Sequence, residues 1–163
     1  MAGFLQQQGY AYNSLSDAVR EEALSRGLDT SRANLVLVGN EMRAAHGPGA
    51  LAERLAPRLV PPAIVDSVRN PGEVETLRRL PGFFLLGVDA PPEIRLTRIK
   101  TRGRLGDIRT AAEFKLYESR ENSADSRGQR ISATLEMAGS VVTNEASLEE
   151  LHRRVADILE QWK

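Results

Sequence analysis

The sequence predicts an α/β protein: a parallel sheet with helices on both faces. Short apolar runs of strand length alternate with segments of helical periodicity along the whole chain. The run Phe83–Val88 (FFLLGV) is the most hydrophobic stretch and the surest strand, with helix signals on either side of it. No internal repeat or long Gly/Ser linker interrupts the 163 residues, so they read as one domain able to bury its own core.

Taken in order, Gly9–Leu15 (GYAYNSL) is a short aromatic-containing strand. The helix Ser16–Arg26 follows, with Ser14 or Ser16 as its N-cap and Gly27 past its end. In Ser31–Ala45 the residues Leu35, Val38, Met42 and Ala45 recur at helical spacing until His46-Gly47-Pro48-Gly49 stops them. Pro48 opens a helix to about Leu59, and Ala63–Ser67 is a buried parallel strand ending in polar residues. Pro71 then starts a helix to Leu80. After the Phe83–Val88 strand, Pro91-Pro92 begin a helix that ends near Arg102-Gly103. A capping box at Thr110–Glu113 launches another through Phe114 and Tyr117. Gln129–Ala138 reads as helix, Ser140–Thr143 as strand, and Ser147–Glu150 as a second capping box. The last helix carries Leu148, Leu151, Val155, Ile158, Leu159 and Trp162 on one stripe.

Composition excludes several classes of function. Lys plus Arg and Asp plus Glu both number 22, so the chain has no bulk attraction to nucleic acid or to an anionic membrane. Cysteine is absent, which removes thiol nucleophiles, disulfides and Cys-ligated metal centres. No apolar run approaches the roughly 20 residues of a membrane span, and no basic-then-apolar leader opens the chain. The expectation is a cytoplasmic protein with neither nucleic acid nor membrane as partner. The two histidines, His46 and His152, lack neighbours at ligand spacing and read as structural. Of the basic residues only Lys100, Lys115 and Lys163 are lysine; the other 19 are arginine, whose planar fork matches phosphate and carboxylate.

In a parallel sheet, ligands bind beyond the carboxyl ends of the strands. Asp66-Ser67-Val68-Arg69-Asn70-Pro71 sets a carboxylate and a guanidinium where a strand meets a helix N-terminus, a place suited to phosphate. There Asp66 is the candidate for holding Mg2+ through water and Arg69 for clamping the anion. The plain alternative is that Asp66 and Arg69 pair with each other, or that Asp66 caps local backbone. Arg95, Arg98 and Arg102 share a helix face, with Arg104 and Arg109 after them. They read either as a lid that neutralises charge on a bound phosphate or as a solvated helix face. Ser16, Asp17 and Arg20 open the first complete helix, where Arg20 is placed for a substrate phosphate unless these residues are only caps.

The stretches GYAYNSLSDAVREEA, LVLVGNEMRAAHGPGALAERL, VDSVRNPGEVETLRRL, FFLLGVDAPPEIRLTRIKTRGRLGD and SVVTNEASLEELHRRV resemble, in order and spacing, the P-loop nucleoside monophosphate kinase-like family. The similarity is to its dephospho-CoA kinase-like and archaeal nucleotide-kinase branches, and to the kinase-like domain fused to some deoxycytidylate deaminases. The resemblance implies a three-layer parallel sheet, a helical substrate-side insertion over about 16–59 and a lid over about 98–125. It implies an enzyme transferring phosphate from ATP, with Mg2+, to a nucleotide or a dephospho-CoA-like acceptor. It further implies substrate contacts at Asp17, Arg20 and Arg69, and catalytic roles for Asp66, Arg98 and Arg102, with Asp66 near the metal. Arg104, Asn144 and Glu145 would border the nucleotide.

The strand and GxxxxGK(S/T) loop that open that family have no counterpart here: the sequence holds no Gly-Lys pair, and its first lysine is Lys100. The resemblance therefore implies a shortened chain with negligible kinase activity. Either Met1 is internal to a longer frame, or the protein is a pseudo-kinase whose sheet gap is covered by a homodimer. The missing strand would lie between those ending at Asp66 and Asp89, leaving open edges or forcing direct pairing. A non-catalytic nucleotide-binding or dimerising module is the competing function.

Overall fold

A computed structural model of the chain describes residues 1–102 and 110–162. Its strands are β1 (Ala11–Ser14), β2 (Ala63–Asp66), β3 (Leu86–Asp89) and β4 (Ser140–Thr143). The helices are α1 (Ala2–Gln7), α2 (Leu15–Ser25), α3 (Arg32–His46), α4 (Ala50–Leu55) with a 3-10 turn at Ala56–Arg58, α5 (Pro71–Leu77), α6 (Pro92–Arg102), α7 (Ala111–Glu121), α8 (Ile131–Glu136) and α9 (Leu148–Trp162). Local chemistry sets their ends. Ser14 caps α2 by accepting from Ser16 N–H at 3.3 Å, Ser31 caps α3 by accepting from Asn34 N–H at 3.4 Å, and Thr110 and Glu113 close a reciprocal capping box on α7.

The α/β class holds, and every strand pairing is parallel, but the strands do not form one sheet. Among the described residues β1 pairs only with β2 and β3 only with β4, giving two separate two-stranded sheets. In the first, Ala11 lies opposite Ala63 and Ser14 opposite Asp66; in the second, Leu86 lies opposite Ser140 and Asp89 opposite Thr143. β2 and β3 each keep one unpaired edge, and Val88 in the middle of β3 is 41% exposed, unusual for a parallel strand. β2 and β3 do not pair with each other among the described residues.

Two apolar clusters hold the molecule. Leu15, Val19, Val38, Met42, Leu51, Leu55 and Leu77 bury one face of α2–α5 against Val65, whereas Leu5, Val142, Leu151 and Val155 join α1 and α9 to Ile64 and Leu86. Successive residues of a strand point to opposite sides, so Ile64 and Val65 tie β2 into both clusters at once. Ile64 and Leu86 share the second cluster, and this packing, rather than backbone pairing, joins the two sheets. Among the described residues, no helix is long and apolar enough to cross a membrane.

Candidate functional site

The register brings Ser14 and Asp66 to the end of one sheet and Asp89 and Thr143 to the end of the other. At the first end, Asp66 is engaged on both oxygens. Tyr12 Oη donates to Oδ2 at 3.0 Å, and the backbone N–H of Ser67 donates to Oδ1 at 2.5 Å. Burial, then the Asp66 carboxylate beside it, pushes the Tyr12 phenol above its ordinary pKa. Ser67 takes a left-handed φ of 65°, turning the chain out of β2, and its hydroxyl accepts from Ser14 Oγ at 3.3 Å.

The start of α5 does not offer its amides to a ligand, as the sequence suggests. Asn70 Oδ1 accepts from Gly72 N–H at 2.9 Å, and Glu73 Oε2 accepts from the N–H groups of Arg69 at 2.8 Å and Asn70 at 3.1 Å. Glu73 is fully buried, and its other oxygen takes Nε of Arg43 at 3.0 Å and a terminal nitrogen at 2.8 Å. The place read as a phosphate cradle is thus filled by an internal carboxylate. Asn70 also donates to the carbonyls of Ser126 at 2.7 Å and Gly128 at 2.8 Å, fastening the turn before α8 to α5.

Arg69 does not pair with Asp66. Its guanidinium reaches Glu121 on α7 at 3.1 Å and Gln129 at 3.2 Å. At the second sheet, Arg95 on α6 lies 3.7 Å from Asp89 and 2.6 Å from Glu118, also on α7, and its guanidinium stands 5.8 Å from the Phe114 ring centre. Glu121 further accepts from Arg32 at 3.1 Å and from Tyr117, whose ring lies 3.9 Å beneath the Arg32 guanidinium. Burial, followed by the Glu121 contact, raises the Tyr117 pKa. Helix α7 therefore pairs through Glu121 with Arg69, which follows β2, and through Glu118 with Arg95 of α6, which follows β3.

The remaining sequence candidates divide. Arg98 donates to the backbone carbonyl of Asn144 at 2.9 Å, and Asn144 N–H donates to Asp89 O at 2.6 Å, so these belong to the second strand end. The side-chain Oδ1 of Asn144 and Nε of Arg95 are both buried without a hydrogen-bond partner. Asp17 and Arg20 pair with each other on the exposed side of α2, whose cap is Ser14. Arg102 is exposed in the last turn of α6, Glu145 is exposed after β4, and Arg104 falls outside the described residues. Sequence reasoning singles out Arg95 only as one of a stripe and misses Arg32, Glu118 and Glu121. A carboxylate pair three residues apart on a helix looks like any solvated face.

Mg2+ usually takes one or two carboxylates and keeps its remaining sites for water and phosphate. Asp66 accepts one hydrogen bond on each oxygen, and no group of three or more His, Asp or Glu suited to a metal assembles among the described residues. These residues do not form a cation cage. A cleft of about 420 Å³ lies elsewhere, between α2, α3 and α4, beside Met42 and His46. Both of its arginines are engaged, Glu22 pairing with Arg26 at 2.9 Å and Arg54 at 2.8 Å, and Arg26 with Glu41 at 2.6 Å.

Comparison with known proteins gives consistent relatives. A UPF0200 protein of Methanoculleus marisnigri is 36% identical over 150 residues, covering 89% of this chain and 79% of the relative. One from Methanothrix thermoacetophila is 34% identical over 150 residues, covering 90% and 81%. A UPF0200/UPF0201 protein of Archaeoglobus fulgidus is 33% identical over 153 residues, covering 89% of this chain but 46% of that longer protein. No protein-family model matches. The P-loop nucleoside monophosphate kinase-like resemblance is corrected by these findings: the relatives are named UPF0200 proteins, and no family model places the chain among kinases. The resemblance rested on the order of strands and helices, which many parallel α/β chains share. The chain belongs to the family of UPF0200 proteins.

Proposed function

We propose that this UPF0200 protein binds a phosphorylated small molecule of the nucleotide class at the carboxyl ends of β2, β3 and β4, without transferring its phosphate. One observation carries the reading: Arg69 from one sheet and Arg95 from the other reach the same helix, with Arg98 turned onto the end of β4. Guanidinium groups converging at strand ends suit the paired oxygens of phosphate, and a sheet's carboxyl edge is where such ligands lie. Phosphoryl transfer relies on concentrated positive charge around the transferred group, commonly a loop lysine and Mg2+. What the described residues supply at this edge is arginine contacts suited to an anion, so binding is the reading proposed.

Calorimetry with ADP, ATP and dephospho-CoA tests this. Binding by the wild-type chain, weakened about ten- to a hundredfold by Arg69→Ala, is the expected result, since a charged hydrogen bond is worth about 1.5–3 kcal/mol. No heat at millimolar ligand overturns the proposal, and phosphate transfer to any acceptor replaces it with an enzymatic one. The open edges of β2 and β3 favour a second reading, a module that dimerises through its strands. Sedimentation showing a strict monomer at micromolar concentration removes that reading.

A further inference from the structure

The arginines assigned to the ligand are not idle in the unliganded protein. Arg69 and Arg32 both end on Glu121, and Arg95 ends on Glu118. Glu121 is only 16% exposed in its side chain and Glu118 27%, so these pairs are partly withdrawn from water, where ion pairs are screened less than at an open surface. Glu118 and Glu121 stand one turn apart on α7, which sets their Cβ atoms about 5–6 Å apart. Two anionic groups at that spacing, Glu118 held by one guanidinium and Glu121 by two, form the pattern that a short polyphosphate chain would present to the same arginines.

We infer that Glu118 and Glu121 occupy the anion site in place of ligand, so that α7 and a polyphosphate-bearing ligand exclude each other; this rests on the binding reading above. The pairing is self-inhibition by charge mimicry. A ligand must displace two carboxylates, so one with several linked phosphates competes better than a single phosphate. Arg95 becomes a ligand contact alongside Arg69, and its buried, unpartnered Nε supplies an unused donor on that guanidinium. Phe114, the buried residue of α7 itself, is the helix's apolar anchor when the carboxylates release.

The test uses inorganic tripolyphosphate and inorganic phosphate as probes on the full chain. Hydrogen exchange across Ala111–Glu121 of the wild type should accelerate on adding tripolyphosphate. Glu118→Gln/Glu121→Gln, which keeps side-chain size and removes the charge, should bind it at least tenfold more tightly than wild type. Tripolyphosphate should also bind more tightly than phosphate to both chains. If the wild type binds tripolyphosphate while α7 exchange is unchanged and the double variant binds no tighter, mutual exclusion is overturned and the binding reading stands. If neither chain binds tripolyphosphate, the binding reading falls and mutual exclusion falls with it. The exchange measurement needs no variant, so a poorly folding double substitution does not protect the inference.

Discussion

Arg43→Met is the sharpest probe of how the site is held. Methionine keeps much of the aliphatic stem but deletes the guanidinium that gives two hydrogen bonds to Glu73 Oε1, at 3.0 and 2.8 Å. Glu73 is fully buried, so that oxygen loses both donors with no water to replace them. Removing one partner of a buried ion pair costs roughly 3–5 kcal/mol. Oε2 keeps its two backbone donors from Arg69 and Asn70, which favours the lower end, about 3 kcal/mol. At roughly 2–4 °C per kcal/mol for a chain of this size, Tm should fall by about 6–12 °C. Adding Glu73→Gln removes the stranded charge while leaving an acceptor for the backbone, and should recover about 1–2 kcal/mol. Urea unfolding midpoints of wild type, both single variants and the double variant read the cycle. A loss below about 1 kcal/mol for Arg43→Met, or a double variant less stable than either single, refutes the reasoning.

Two further outcomes follow from local geometry. A Cβ on Gly72 would lie 2.7 Å from Pro48 Cβ and 2.8 Å from the Pro48 carbonyl carbon, so Gly72→Ala should destabilise by about 1–3 kcal/mol in thermal melts. Gly3→Ala, where nothing lies within 4 Å, should be neutral or slightly stabilising. Hydrogen bonds from Arg153, then Arg154, hold the Glu150 carboxyl down to about 2, so the stability it adds is present above its ordinary pKa and lost as pH falls toward 2. Because Glu150 is exposed, Glu150→Gln should lower Tm only slightly at pH 6. That difference should vanish near pH 2 and in high salt, and an ordinary pKa for this carboxyl by NMR titration would contradict it.

Elements with a local signature were legible in the sequence. The caps Ser14, one of two read for its helix, and Thr110, the first-turn Pro71 and the stripe of Leu151 and Val155 act within a few residues of where they stand, and the structure keeps them. The strand expected from Phe83 begins instead at Leu86, because Phe84 turns aside to pack on Trp162 with ring centres 5.1 Å apart. Ala45, which recurs with Val38 and Met42 at helical spacing, is exposed, whereas Arg43 on the same helix is buried against Glu73, 30 positions away in sequence. The same limit governs the site. Strand ends gave Asp66, Arg69, Arg98 and Asn144, but the acids that meet the arginines come from α7, and only tertiary folding brings Glu121 to Arg69 across 52 positions.

Asn70 has a consequence for the order in which the molecule assembles. Its side-chain amide donates to carbonyls 56 and 58 residues further along, while its oxygen caps the helix it begins. During synthesis α5 emerges long before Ser126 and Gly128, so the nascent first half holds both amide protons without their final acceptors. That corner matures only once the chain through Gly128 has left the ribosome, and a premature stop before residue 126 leaves it permanently unfinished.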